Sequence, residues 1–403
     1  MKQQRIFPKV TVTKKQENSI KNGHPWIYED EIIQQYENIE NGCIVDVFGK
    51  KDNYLGSGFY SEYSKIRIRL LGNNANETYD DSFFERKVKY AIQYRKDVMQ
   101  EDFSACRLIH GESDGLPGLT VDRYNNLLVS EISSYGTEQH KDIIYTSLLN
   151  QLREMGEIID GIYERNESDL RKKEGLIQYK GWYGENHPDS ISTEFVENGI
   201  IYEVDVENGQ KTGFFLDQKN NRRQVARLAK GKKVLDCCTH TGSFALNAAK
   251  GGATSVLAMD ISESALDMAR KNAERNHLDL SFRQGDVFEV LKDLKKEHQK
   301  FDFIILDPPA FTKSKRTFHN ARNGYQEINR DAMRLLPRGG YLASASCSHF
   351  MPKEEYAKML QEAAKEAGVS IRIIEQRGAA PDHPVNPAIP ETEYLKFFLL
   401  QII

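Results

Sequence analysis

The sequence predicts an α/β protein in which an open, doubly wound sheet follows a small β-barrel and a mixed α+β region. Within residues 232–310, four apolar strands each end near an acidic residue, with helical sequence between them. Short β-like runs separated by turns occupy the first 72 residues, and the middle of the chain mixes strand and helix patterns. A chain of 403 residues is long enough for two or three domains.

The first region, residues 1–72, is predicted to be the barrel. Apolar runs at 43–48, 55–60 and 66–71 have the length of short strands and are separated by Gly and Asn. The segment 72–76 is rich in Asn and indicates a boundary. This region is therefore expected to form a domain of its own.

The second region, residues 73–190, is predicted to be an α+β domain. A helix is expected over 83–99, and two strands are expected on either side of the Asn125-Asn126 turn. A further helix and a strand around 161–165 follow, and the loop at 184–190 ends the region.

The third region, residues 191–403, alternates strands and helices as βαβ units do. Apolar residues repeat at i, i+3, i+4 and i+7 in segments that begin near Val287, Tyr325 and Tyr356, which predicts three amphipathic helices. Two late strands at 369–374 and 394–403 flank a proline-rich loop and are expected to end the sheet as an antiparallel pair.

Composition points to a soluble cytoplasmic protein. The net charge of −4 argues against a uniformly basic nucleic-acid binder, although it is compatible with a local basic groove. No apolar run approaches the roughly 20 residues that span a bilayer, and the amino terminus lacks the apolar core of a signal peptide. The odd cysteine count and the absence of paired Cys-x-x-Cys motifs favour free thiols in a reducing compartment and predict no metal site.

The acids at the strand ends predict a site for an adenosine-bearing cofactor. Gly242, in the turn after the strand that ends near Asp236, would let the backbone approach a ligand closely. Asp260 and Asp286 follow the next two strands, where they are placed to meet a ribose and an adenine edge. Neither a dinucleotide fingerprint nor a P-loop occurs. Each acid alone is more often a loop residue or a helix cap. Four acids at successive strand ends, with Asp307 as the last, favour the cofactor site.

These features resemble class I S-adenosylmethionine-dependent methyltransferases. Upstream, the stretch Gly-Gln-Lys-Thr-Gly-Phe-Phe-Leu-Asp-Gln at 209–218 is similar to the signature of the ribosomal RNA large subunit methyltransferase I family. Segments 23–32 and 63–69 are similar to that family's amino-terminal PUA domain, and segment 107–124 to its central domain. The resemblance implies a methyltransferase that acts on 23S ribosomal RNA or a large-subunit precursor, and it suggests a homodimer.

The resemblance also implies which residues hold S-adenosylmethionine. Phe215 would cover the methionyl end, the turn from Thr239 to Gly242 would hold the carboxylate side, Asp260 the ribose, and Asp286 with Val287 the adenine. The full expected set is Phe215, Asp236, Thr239, His240, Thr241, Gly242, Asp260, Ile261, Asp286, Val287 and Asp307. For Phe215, packing in the core is an equally good interpretation.

Two residues are predicted to act on the base. Cys347 follows the strand predicted at 341–343, in a Ser-Cys-Ser motif similar to that of families making 5-methylcytosine. Its thiolate would add to C6 of a cytosine and so activate C5. Asp307, in the Asp-Pro-Pro-Ala motif, would bond the base edge or assist protonation at N3. If Cys347 is instead a buried packing residue, methylation of guanine at N7, which needs no covalent step, is the second interpretation.

Basic side chains in two segments of the chain are predicted to bind RNA phosphates. Three alternate along a presumed strand and would share one face, and three follow the Asp-Pro-Pro motif, where a solvated loop is the alternative. They are Lys65, Arg67, Arg69, Lys313, Lys315 and Arg316. Two other classes stay open: a non-catalytic RNA-binding assembly factor, which the complete set of acids disfavours, and a small-molecule methyltransferase, which the amino-terminal barrel disfavours.

Overall fold

The structure, a computed structural model, describes residues 5–36, 38–311 and 315–403, and for Lys315 the backbone alone. The chain divides into two units. The first unit comprises Met1–Phe195, Glu203–Leu216 and Pro381–Thr392, and the second comprises Val196–Tyr202, Asp217–Ala380 and Glu393–Ile403. Among the described residues, no helix combines the length and apolarity needed to cross a bilayer.

The amino-terminal part of the first unit is a six-stranded sheet with one helix. Its strands are β1 (Lys9–Val12), β2 (Trp26–Tyr28), β3 (Ile32–Gln35), β4 (Ile44–Phe48), β5 (Tyr54–Tyr60) and β6 (Ile66–Gly72), and the helix is α1 (Lys14–Lys21). The strand order is β2-β6-β5-β4-β1-β3, and only β1 and β4 pair in parallel. The three strands predicted from the apolar runs are confirmed as β4, β5 and β6.

A five-stranded sheet with order β11-β10-β9-β8-β7 follows in the first unit. Its strands are β7 (Ala105–His110), β8 (Leu119–Tyr124), β9 (Leu127–Ile132), β10 (Gly161–Asn166) and β11 (Tyr179–Trp182). The helices are α2 (Asp81–Met99), α3 (Tyr135–Gln139), α4 (Lys141–Glu154) and α5 (Asp169–Lys173). The predicted hairpin is confirmed, because β8 and β9 meet at a turn in which Asn125 adopts a φ of 54°.

A two-stranded hairpin of β12 (Ser192–Glu197) and β13 (Ile200–Asp205) has its residues divided between the units. The second unit is then built on a seven-stranded sheet with order β16-β15-β14-β17-β18-β20-β19. The strands are β14 (Lys233–Cys237), β15 (Ser255–Asp260), β16 (Ser281–Gln284), β17 (Phe303–Leu306), β18 (Tyr341–Ser346), β19 (Ile371–Arg377) and β20 (Lys396–Ile402). The helices are α6 (Lys219–Ala229), α7 (Ser243–Lys250), α8 (Glu263–Arg275), α9 (Val287–Lys296), α10 (Phe318–Leu335) and α11 (Lys353–Ala367).

Strand alternation buries both faces of this sheet. Leu235 and Ile304 pack into the core formed with α9, α10 and α11, whereas Val234 and Phe303 pack into the core formed with α6 and α7. The strands β14 to β18 are parallel, and β20 runs antiparallel to both β18 and β19. The predicted doubly wound sheet and its antiparallel end are therefore confirmed.

Candidate active site at the carboxyl edge of the seven-stranded sheet

The sequence-predicted acids meet at one edge of the sheet. Asp236 is the penultimate residue of β14, Asp260 ends β15, and Asp307 directly follows β17. These strands are parallel neighbours, so their carboxyl ends share an edge. The strand order also reverses between β14 and β17, which is where open α/β sheets bind ligands.

Asp236 is the most deeply buried of these acids and has no solvent exposure. Its Oδ2 accepts hydrogen bonds from Thr239 Oγ1 at 2.5 Å and from the Ala245 amide at 2.9 Å. Its Oδ1 is buried and has no hydrogen-bond partner among the described residues. Burial, together with the charge of Asp307, raises the pKa of Asp236 to about 7, although the bond from Thr239 opposes the shift.

The turn between β14 and α7 has a strained backbone. Cys238, His240 and Gly242 all adopt left-handed conformations, with φ of 63°, 52° and 85°. A Cβ on Gly242 would approach Ala269 Cβ to 3.0 Å, so both the left-handed backbone and the close contact with Ala269 require glycine here. The His240 amide donates to Asp260 Oδ2 at 2.8 Å, which fixes the turn against the end of β15.

The same turn fits the polar end of S-adenosylmethionine. Thr241 Oγ1 is a second buried atom without a hydrogen-bond partner among the described residues. Together with Asp236 Oδ1 it offers an acceptor and a hydroxyl at the edge where ligands bind, and an unmatched buried polar atom is costly unless a ligand satisfies it. Burial lowers the pKa of His240, so its ring is held neutral near this edge.

Further along the edge, two segments suit the nucleoside. Ile261, directly after Asp260, is 66% exposed, which leaves apolar surface beside the acid. Asp286 is exposed and caps α9 by accepting from the Phe288 amide at 2.8 Å, so the helix-cap interpretation of this residue is also correct. Val287 packs into the core. The cofactor contacts of these residues stay predictions.

Tyr325, which the sequence indicated only as part of a helix face, holds the Asp-Pro-Pro turn. Its hydroxyl accepts from the Phe311 amide at 3.4 Å and lies 3.5 Å from Pro309 O, and its ring packs on Phe311 with centroids 4.5 Å apart. Burial raises the pKa of Tyr325 to about 12, and Cys347 and Asp307 contribute to the shift. The Tyr325 hydroxyl therefore contacts the turn that follows Asp307, one of the two residues predicted to act on the base.

Cys347 directly follows β18, because this strand extends to Ser346 rather than ending near residue 343. The neighbouring strand β20 places Lys396 opposite Ser346. Lys396 is 4% exposed, and its ammonium donates to the backbone oxygens of Ser348 and, at 2.7 Å, Tyr394. Sequence analysis missed this lysine, although a lone cation in the apolar stretch of residues 395–400 is the signal that could have found it.

The aromatic pair of the Lys-Thr-Gly-Phe-Phe motif lies in the first unit and divides into two roles. Phe214 is buried, packs on Phe195 with centroids 5.0 Å apart, and its amide donates to the Tyr124 hydroxyl at 3.0 Å. Phe215 is half-buried, with the Lys211 ammonium 4.7 Å from its ring centroid. The role of Phe215 at the cofactor stays a prediction.

Two of the predicted RNA contacts are engaged within the protein. Arg67 is 8% exposed and pairs with Glu29 at 2.6 Å. Arg69 pairs with Glu112 at 3.1 Å and Glu174 at 3.0 Å. Because carboxylates already neutralise both guanidinium groups, their local role is to brace β6 rather than to present free charge.

The other basic candidates differ in accessibility. Lys65, just before β6, and Arg316 are exposed. Lys313 lies outside the described residues, and only the backbone of Lys315 is described. Across the described ranges, no group of three or more His, Cys, Asp or Glu side chains is arranged to hold a metal ion.

Known proteins match almost the whole chain. The family described as S-adenosylmethionine-dependent methyltransferase matches residues 182–398, and the PUA-like domain matches residues 10–73. The ribosomal RNA large subunit methyltransferase I of Pseudoalteromonas atlantica is 39% identical over 399 residues, which cover 98% of this chain and 99% of that one. The protein of the same name from Aeromonas hydrophila is 41% identical over 393 residues, which cover 96% and 97%.

A solved methyltransferase complexed with SAH has the same fold, with a TM-score of 0.82 and 23% identity over 98% of this chain and 99% of that one. The predicted fold class, a PUA-like domain with a class I methyltransferase domain, is thereby confirmed, and the enzyme uses S-adenosylmethionine as its cofactor. With near full-length relatives at this level of identity, the chain belongs to the ribosomal RNA large subunit methyltransferase I family.

Proposed function

We propose that this enzyme methylates a base of 23S ribosomal RNA, and that the base is a cytosine methylated at C5 through a covalent adduct on Cys347. The curated relatives are named for large-subunit ribosomal RNA, which supports the substrate. The observation that carries the base assignment is the position of Cys347 at the end of β18, beside the β17 end that bears Asp307.

The chemistry follows from the two side chains. S-adenosylmethionine, when bound, supplies an electrophilic methyl group on a sulfonium. The Cys347 thiolate would add to C6 of the cytosine, and the π electrons of the C5–C6 bond would make C5 nucleophilic. Asp307, in its protonated form, would hold the base edge and give its proton to N3 as negative charge arrives there, and it would take that proton back when the thiolate leaves. Once C5 is methylated and releases its proton to solvent, the thiolate leaves and the ring regains its double bond.

Nucleoside mass spectrometry tests this proposal. Large-subunit RNA from a strain lacking the protein would be incubated with the enzyme and labelled S-adenosylmethionine. We expect labelled 5-methylcytidine from wild type and from a Cys43→Ser control, which changes a half-buried cysteine of the first unit. Cys347→Ser should give no label. Labelled 7-methylguanosine, retained by Cys347→Ser, would overturn both the base and the covalent step.

Asp307→Ala separates chemistry from cofactor binding. We expect loss of methyl transfer, because the base edge loses its partner, while calorimetry still detects binding of S-adenosylhomocysteine. A variant that retains full turnover would remove Asp307 from the mechanism. RNA binding without any labelled product in wild type would instead favour a non-catalytic assembly factor.

We further propose that residues 1–72 form the RNA-contacting domain, 73–190 the central domain and 191–403 the catalytic domain of a cytoplasmic homodimer. Lys65 and Arg316 are the exposed members of the predicted basic set. Lys65→Glu and Arg316→Glu should each weaken RNA binding and lower the salt slope by about one phosphate contact. Lys50→Glu, at another exposed lysine, is the matched control, and equal effects of all three would contradict a localised contact.

A further inference from the structure

Lys396 occupies an unusual position for a lysine. It is the first residue of β20 and lies opposite Ser346 in the antiparallel register, between Leu395 and Phe397 in the sequence, and only 4% of it is exposed. Its ammonium donates to Ser348 O and to Tyr394 O. Because Ser346 and Ser348 flank Cys347, this lysine is anchored to the short segment that carries the predicted nucleophile.

A buried ammonium needs a compensating charge, and the described residues supply no direct one. In the part of the chain that the structure describes, no carboxylate lies within ion-pairing distance of Lys396. Burial lowers the pKa of Lys396 to about 8, while Cys347 and then Glu393 act to raise it. Two neutral carbonyls satisfy hydrogen bonds but do not balance a full charge.

Other titratable groups of the described chain belong to the same end of the sheet. Tyr325 on α10 and Asp307 directly after β17 are two of them; burial raises the pKa of the Tyr325 hydroxyl most, and the charges of Cys347 and Asp307 raise it further. His349, two residues further along the same segment, is exposed. A nearby carboxylate disfavours a thiolate, whereas the Lys396 ammonium, which donates to Ser348 O beside Cys347, favours one.

We propose that Lys396 is a positioning residue that stabilises the thiolate of Cys347 and so sets the pH range in which this cysteine can attack the base. The inference rests on the proposed function, since it gives Cys347 the nucleophile's role. The ammonium charge of Lys396 and the thiolate charge of Cys347 would compensate each other. Lys396 itself neither touches the base nor transfers a proton in this scheme.

Alkylation of Cys347 tests the proposal without RNA or cofactor. The full-length wild type would be treated with iodoacetamide between pH 5.5 and 9.5, and the rate at each cysteine read by peptide mass spectrometry. Lys396→Met should raise the apparent pKa of Cys347 by about one unit or more, which slows its alkylation at pH 7 by about tenfold. Lys358→Met, at an exposed position of α11, should leave the profile unchanged.

A second variant of Lys396 and a buried cysteine distinguish loss of the ammonium charge from partial unfolding. Lys396→Gln keeps a hydrogen-bond donor for the Ser348 and Tyr394 carbonyls without the charge, and it should give the same shift. Cys237 is fully buried in the same unit, so its alkylation reports unfolding. If Cys347 keeps the wild-type pH profile in both variants while Cys237 stays protected, the proposal is overturned.

A titration of the Cys347 thiol in protein that keeps Lys396 tests the proposal even if both Lys396 variants unfold. The absorbance at 240 nm of wild type minus Cys347→Ser reports thiolate formation, and its midpoint should lie below the ordinary cysteine value of about 8.5. A midpoint at or above that value overturns the proposal. Labelled 7-methylguanosine in the product assay would instead overturn the proposed function, whatever the thiol titration shows.

Discussion

Asp236 should make the second unit lose stability as the pH rises through neutrality. Its pKa is about 7 in the folded chain, against an ordinary value of 3.8. The folded state therefore binds more protons than the unfolded state between these values, and stability falls with rising pH across that window. The carboxyl is most favourable when protonated, because its buried Oδ1 has no hydrogen-bond partner among the described residues.

The size of the effect follows from the two pKa values. Linkage gives a loss of about 2.5 kcal/mol in the free energy of unfolding between pH 5 and pH 8 for this group alone. Asp236→Asn removes the titration, so the pH dependence of the variant should be shallower by about that amount. The absolute stability of the variant also changes, since an amide places an N–H near the same site, and the comparison is therefore between slopes.

Hydrogen exchange measures the pH dependence of stability within the second unit alone. Both tryptophans precede residue 196, so their fluorescence reports the first unit and not this one. Protection factors for the amides of β14 would give the free energy of opening at pH 5 and pH 8. Asp286→Asn is the control, because Asp286 is exposed and asparagine also caps helices. Equal pH slopes in wild type and Asp236→Asn would refute the reasoning.

Three further predictions concern buried polar groups. Arg222→Met should lower the free energy of unfolding of the second unit by about 3–5 kcal/mol, because it leaves the buried Glu197 carboxylate, which Arg222 contacts at 2.6 and 2.8 Å, without its cation. Denaturation followed by circular dichroism should show that the double variant with Glu197→Met recovers most of this loss. No recovery would contradict the reasoning. Tyr124→Phe removes a buried hydroxyl with three hydrogen bonds and should lower the free energy of unfolding of the first unit by about 1–3 kcal/mol, measured by tryptophan fluorescence. Tyr90→Phe, at an exposed site, should leave it unchanged. Because burial lowers the pKa of His110, the unfolded chain takes up its proton first, so the first unit should lose stability as pH falls below about 6.5, and His110→Gln should flatten that dependence.

Local patterns were sufficient to predict the sheet that carries the site. The strands β14, β15 and β17 are short apolar runs with acids at their ends, and the three amphipathic helices follow from the 3.6-residue period. Such patterns involve residues that are close in sequence, so they do not depend on which distant segments meet in the fold. The cofactor edge follows because parallel strands bring their carboxyl ends together.

Side-chain partners distant in sequence were not predictable in the same way. Arg67 and Arg69 alternate on one strand, which suggested free basic side chains. Arg67 instead pairs with Glu29, and Arg69 pairs with Glu112 and Glu174. Lys396 was missed for the same reason, since its place beside Cys347 depends on the antiparallel pairing of β20 with β18. Periodicity does not encode which distant carboxylate or thiol a cation meets.

The carboxyl edge of the seven-stranded sheet thus combines two opposite electrostatic requirements. Around β14 and β15, burial and then the charges of Asp307 and Asp260 raise the pKa of Asp236, and a cationic ligand would relieve the repulsion between these acids. S-adenosylmethionine carries a sulfonium and an ammonium, so it suits this part of the edge. Around β18 the requirement would reverse if Cys347 attacks as proposed, because a thiolate is stabilised by a cation, and Lys396 lies on the antiparallel strand β20. The antiparallel pairing of β20 with β18 therefore brings a positive charge beside the segment that carries Cys347.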